Sequence, residues 1–126
     1  MLILFSKVAT SSHSSGFSLK TQNNQELFKH FDGHVVCGDD EAVKRGKPEP
    51  DIFHEAARRF FNHSLVDPSD ILVFEDSPSG VLAAIKGGMQ CVWVPDVNLE
   101  VDPDLAKQCL KVVRSLEDFS PSDFIL

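Results

Sequence analysis

The chain has 126 residues, 42% of them hydrophobic and 25% charged, which suits one soluble globular domain and leaves too little length for two. Twelve basic residues against nineteen acidic ones give a net charge of -7. A field of that sign excludes nucleic acid or an anionic membrane as partners held by overall charge.

The first apolar, β-rich run is Leu2 to Ala9. Its opening, Met1 to Phe5, is too short for a spanning helix or a signal core, so the expected location is the cytoplasm. Lys7 falls within this run, where a charge in a strand covered on both faces is costly. The run passes through Thr10-Ser11-Ser12 into a small-residue loop, His13-Ser14-Ser15-Gly16. A helix is expected in the region Asn24 to Phe31 and a strand over His34 to Cys37, followed by Asp39-Asp40-Glu41, which reads as a solvated turn.

Gly46-Lys47-Pro48-Glu49-Pro50-Asp51 leads into an amphipathic helix. Ile52, Phe53, Ala56, Ala57, Phe60 and Phe61 recur at steps of three and four, with Glu55, Arg58 and Arg59 on the other side. Pro50 suits its first turn. A strand follows over Ile71 to Phe74, then a helix over Ser79 to Lys86 that Gly87-Gly88 stops in a left-handed turn. Cys91 to Val94 reads as a strand, Asp104 to Leu110 as a helix, and Lys111 to Val113 as a final strand. Cys37, Cys91 and Cys109 are odd in number and form no C-x-x-C, which fits reduced thiols. Strands alternating with helices imply crossovers, so the class is α/β with a mainly parallel sheet covered by helices on both faces.

In such sheets ligands bind beyond the carboxyl ends of the strands, and three of those ends carry chemistry. Hydroxyls and free N–H groups at Thr10-Ser11-Ser12 suit phosphate oxygens, although a Ser/Thr turn that caps the next helix is the ordinary alternative. Lys47, held between Gly46 and two prolines, has a restrained starting point for its stem. That suits one positive charge placed beside a phosphoryl group and a carboxylate, although a surface lysine is the ordinary alternative. Glu75 and Asp76 end an apolar strand side by side. Like charges about 4 Å apart repel by roughly 4 kcal/mol at an effective dielectric near 20, so the pair calls for water, a proton or a cation such as Mg²⁺. Helix capping by Asp76 or Ser77 through Pro78 explains the same residues and excludes nothing.

Strand-Thr-Ser, then Gly-Lys-Pro-x-Pro-Asp, then strand-Glu-Asp-x-x-x-Gly, in that order, resembles the haloacid dehalogenase (HAD) superfamily of phosphohydrolases. The resemblance runs from about Lys7 onward. It implies a Rossmann-like fold and hydrolysis of a small phosphorylated metabolite, such as a nucleotide or sugar phosphate. Thr10 and the main chain of Ser11 would bind phosphoryl oxygens, Lys47 would neutralise the phosphate and the nucleophile, and Asp76, with Glu75 beside it or through water, would help hold Mg²⁺. The family's attacking aspartate lies in an Asp-x-Asp-x-Thr segment ahead of Thr10. Here the first aspartate is Asp32, and Asp39-Asp40 has neither the spacing nor the place in the order. The family's helical cap is absent too. The resemblance therefore implies a single partial core over residues 1–126, lacking a nucleophile and a central strand between the strands ending at Thr10 and Phe74. Unpaired edges and marginal stability are the expected consequences. A non-catalytic phosphate-binding or interaction module is the alternative expectation.

Overall fold

Short apolar runs bounded by turn residues form five strands among the described residues, and every pairing between them is parallel. The computed structural model describes residues 6–31, 33–62 and 64–124, so Met1 to Phe5, the opening of the first apolar run, and Asp32 lie outside it. The chain divides into two compact units, Met1–Gly46 with Asp51–Leu65, and Lys47–Pro50 with Val66–Leu126.

In the first unit β1 (Val8–Thr10) pairs with β2 (Val35–Cys37), with Val8 opposite Val35 and Thr10 opposite Cys37. Between them run α1 (Ser14–Thr21), α2 (Gln25–Phe28) and a 3-10 turn, Lys29–Phe31. The single helix expected over Asn24 to Phe31 is therefore split. α1 was not legible as a helix because it buries no residue and carries no apolar stripe. Phe28 joins these pieces, edge-on to Phe17 at 5.3 Å between centroids and tilted on Phe31 at 5.7 Å.

α3 (Asp51–Phe60) packs on both β1 and β2 and buries Ile52, Phe53 and Ala56. A large side chain such as Ile52 or Phe53 taken from water stabilises by about 1.5–3 kcal/mol where burial is complete. The expected polar side of α3 needs correction, since Glu55 is also buried. Arg58 and Arg59 bend over it, with Arg58 Nε at 2.7 Å and Arg59 Nε at 2.5 Å from its oxygens. Those bonds, Arg58's first, hold the Glu55 carboxyl below its ordinary range against the cost of burial. Lys7 also departs from expectation. It precedes β1 rather than lying in it, is half-buried, and sets its Nζ 4.8 Å from the centroid of the Phe60 ring. Burial and the neighbouring Arg59 charge lower its pKa.

In the second unit β4 (Gln90–Trp93) lies between β3 (Leu72–Glu75) and β5 (Lys111–Val112). Cys91, Val92 and Trp93 are its buried core, because a middle strand is shielded along both edges. α4 (Pro78–Lys86) packs on β3 and β4 through Val81, Ala83 and Ala84. Its ends follow the sequence signals. Ser77 accepts from Gly80 N–H with Pro78 in the first turn, and Gly88, at φ 75°, closes the other end. There Met89 N–H reaches Ala84 O and Gly88 N–H reaches Ile85 O, both at 3.0 Å, which is a Schellman motif. α5 is a single turn (Pro103–Ala106) capped by Asp102, shorter than the helix expected to reach Leu110.

The parallel α/β class is confirmed, but the ladder is divided into β1-β2 and β3-β4-β5. Among the described residues β1 pairs only with β2, and β3 only with β4. Phe74 on β3 is 44% exposed, and its ring meets Phe119 edge-on at 5.1 Å.

Candidate functional site

In the first unit the chain turns sharply at Thr10. Its Oγ1 accepts from Ser12 N–H at 3.2 Å, and Ser12 O accepts from Gly38 N–H at 3.0 Å, which joins the end of β1 to the end of β2. The approach is close enough that a Cβ on Gly38 would lie 2.5 Å from Ser11 O, so only glycine fits there. Thr10 is half-buried and Ser11 exposed. Asp39, expected as part of a solvated turn, is indeed exposed but has a defined partner at the start of α1. It accepts from Ser14 N–H at 2.9 Å and Ser14 Oγ at 2.5 Å, and the hydroxyl bond leads in holding its carboxyl below the usual range. Asp40 is held low in the same way, chiefly by Arg59 Nη2 at 2.8 Å.

In the second unit the segment 47–50 is docked at the C-terminal end of α4. Lys86 Nζ lies 2.7 Å from Glu49, and a Cβ on Gly87 would meet Pro50 Cβ at 3.2 Å. The docking fixes the stem of Lys47, whose Nζ bonds directly to the Glu75 carboxylate at the end of β3. Both side chains are nearly buried, at 9% and 8% exposure. Ser77 Oγ donates to the other Glu75 oxygen at 3.2 Å. A Cβ on Gly80 would overlap the same carboxylate, so the glycine three residues after Ser77 leaves room for the pair. The Glu75 backbone is held as well, its carbonyl accepting from Val94 N–H at 2.7 Å.

Asp76 is exposed, and among the described residues no hydrogen bond to its carboxylate is formed. Its carbonyl is fixed by Trp93 Nε1–H at 2.9 Å. Glu75 is committed to Lys47 and Ser77, and the described residues assemble no group of three acidic, histidine or cysteine side chains suited to a metal ion. The donor set thus offers one open carboxylate, Asp76. Mg²⁺ accepts that arrangement when water and substrate oxygens complete its six positions.

Parallel strands joined by helices, with hydroxyl, lysine and carboxylate residues at the carboxyl ends, define a Rossmann-like α/β protein. The chain belongs to the haloacid dehalogenase-like hydrolase family, which it matches over residues 8–88. It is 49% identical over 118 residues to "(DL)-glycerol-3-phosphatase 2" of Arabidopsis thaliana, covering 93% of this chain and 47% of that protein. It is 48% identical to "Probable pseudouridine-5'-phosphatase" of Drosophila melanogaster, covering 93% of this chain and 49% of the other. The chain thus spans about half the length of these curated relatives. The crystal structure of CbbY from Rhodobacter sphaeroides in complex with phosphate superposes with a TM-score of 0.75 at 22% identity, over 98% of this chain and 52% of that one, a likeness of fold.

Lys47, Glu75 and Asp76 stand out in the sequence, Glu75 as a partner of Asp76 at Mg²⁺ directly or through water; in the structure the Glu75 carboxylate is bonded by Lys47. The close approach of Gly38 to Ser11 and the bonds from Ser14 to Asp39 were not foreseen. The signal for Gly38 was present in Cys37-Gly38-Asp39, a glycine at the carboxyl end of a strand where two backbones converge.

Proposed function

We propose that this chain is the phosphate-binding part of a Mg²⁺-dependent phosphomonoester phosphatase and that the 126 residues alone have little or no turnover. It represents part of a single HAD-like core in this reading. The buried Lys47–Glu75 pair carries the proposal, because a lysine fixed by a carboxylate at a strand end holds its charge ready for a phosphoryl group without reorganising. The names of the phosphatase relatives support the class of reaction.

Thr10 Oγ1 and the Ser11 main chain would bind phosphoryl oxygens, and Lys47 would offset their charge. Asp76 would hold Mg²⁺ directly, with Glu75 acting through water or only through Lys47. The ion, when bound, would add positive charge against the phosphoryl oxygens. The substrate class is a small phosphorylated metabolite, a nucleotide or sugar phosphate. The nucleophile is the missing part, since no Asp-x-Asp-x-Thr occurs in the 126 residues. Three unbridged cysteines suit a reducing compartment, and the proposed location is the cytoplasm. No helix among the described residues is long and apolar enough to cross a membrane.

Calorimetric titration with inorganic phosphate in the presence of Mg²⁺ tests the binding role. Saturable binding is expected, weakened about tenfold or more, roughly 1.4 kcal/mol, by Lys47→Ala and by Thr10→Val. The absence of binding, or equal binding by both variants, would contradict it.

A further inference from the structure

Lys7, Gly33, His34, Val35, Val36 and Arg59 line a cavity of about 90 Å³ in the first unit. It lies toward the amino-terminal end of the β1-β2 pair. Lys7 and His34 immediately precede β1 and β2, Val8 N–H donates to His34 O at 3.2 Å, and Arg59 comes from the last turn of α3, which packs on both strands. The Thr10–Ser12 turn and Gly38 follow the opposite ends of the same strands, so none of the lining residues belongs to that turn.

Three cations gather here around two carboxylates. Arg58 and Arg59 both bond Glu55, and Arg59 Nη2 also reaches Asp40 at 2.8 Å. Lys7 is the surplus charge. Among the described residues it pairs with no carboxylate, and its Nζ faces the Phe60 ring, 4.8 Å from the centroid. Burial first, and the Arg59 charge second, lower the Lys7 pKa. Among the described residues none of those lining the cavity is acidic, so an ammonium and a guanidinium border one space with no counter-charge in its wall. An anion in that space would offset their repulsion.

We propose that this cavity binds one small tetrahedral oxyanion, free phosphate or sulfate, between Lys7 Nζ and the Arg59 guanidinium. The ammonium brings a compact charge with rotatable donors and the guanidinium a planar fork, a pairing suited to an ion with oxygens on every side. Size narrows the class. The cavity exceeds the roughly 10–15 Å³ that one water needs, whereas sites that enclose a whole metabolite run to about 300 Å³ or more. A free ion fits, and a nucleotide or sugar phosphate does not. Lys7 is half-buried and the Arg59 side chain 38% exposed, so solvent screens both charges. Half-saturation is expected on the order of 1 mM, equivalent to about 4 kcal/mol.

Amide spectra of the isotope-labelled full chain, titrated with sulfate and with phosphate against sodium chloride at constant ionic strength, locate the ion. The amides of Lys7, Gly33, His34 and Val35 and the Arg59 Nε–H are expected to shift on one saturating curve, while Ser11, Ser12 and Gly38 report separately on any anion at the other turn. Lys7→Met keeps an apolar stem over Phe60 and removes the charge, and should weaken the first curve about tenfold or more. Glycerol 3-phosphate should leave these amides in place, which distinguishes a free ion from the phosphate of an ester. Shifts that grow linearly with sulfate in the unsubstituted chain, or a curve unchanged in Lys7→Met, would overturn the site. An equal response to glycerol 3-phosphate would overturn its restriction to a free ion. The titration of the unsubstituted chain decides the first point without any variant having to fold.

Discussion

Lys47→Ala is expected to lower the free energy of unfolding by about 3–5 kcal/mol, because it removes one half of a nearly buried ion pair and leaves the Glu75 carboxylate with Ser77 Oγ as its remaining side-chain donor. The loss has two parts, the missing attraction and the unrelieved cost of keeping a charge out of water. They separate in a double-mutant comparison. Lys47→Met combined with Glu75→Gln removes both charges and should cost clearly less than Lys47→Ala alone, since replacing both partners of a buried pair is far milder than orphaning one. Urea unfolding of the two variants measures the difference. A cost below about 1 kcal/mol for Lys47→Ala would be that of a solvated surface pair and would contradict the buried geometry.

Trp93→Ala should have an effect of similar size. Trp93 is 0% exposed on β4, opposite Glu75 on one side and Val112 on the other, so truncation opens a cavity in the middle of the three-stranded sheet. Large aromatic-to-alanine changes at such positions cost about 3–5 kcal/mol. Trp93 also links core to site, because its Nε1–H holds the Asp76 carbonyl at 2.9 Å. Trp93→Phe keeps most of the volume and loses that bond, so a smaller cost of about 1–3 kcal/mol is expected, comparable to leaving one polar group unpaired. Denaturant unfolding of both variants checks the order. If Trp93→Phe proved as damaging as Trp93→Ala, the bond to Asp76 would outweigh the packing.

Most of the fold was legible because its signals are local. The strand now seen as Leu72–Glu75 and the helix now seen as Pro78–Lys86 carry their periods, the Ser77 cap and the Gly87-Gly88 stop within one short stretch. Helix α1 was not, since Ser14–Thr21 has no apolar stripe and takes its carboxylate partner, Asp39, from 25 residues away. Glu55 misled for a similar reason. Periodicity assigns a charged residue to the solvent side, and only the two arginines folding over it make its burial tolerable. Within the candidate site, Lys47 and the Glu75-Asp76 pair stood out by residue type and spacing. Which carboxylate faces the lysine depends on a contact spanning 28 residues, and no local pattern encodes it.

The divided ladder bears on function as well as stability. β1 and β3 each pair on one side among the described residues, and the 126 residues contain no Asp-x-Asp-x-Thr to supply an attacking carboxylate. In the proposed reading the lysine, the hydroxyls and Asp76 would serve phosphate binding, and none of them is an aspartate placed to attack phosphorus.

The most direct test is release of inorganic phosphate from glycerol 3-phosphate and pseudouridine 5'-phosphate by the purified chain with Mg²⁺, measured beside Lys47→Ala. We expect no turnover by the chain above that of the variant, even where phosphate binding is intact. Sustained Mg²⁺-dependent turnover abolished by Lys47→Ala would contradict this reading, because it would require a nucleophile where the proposal has none.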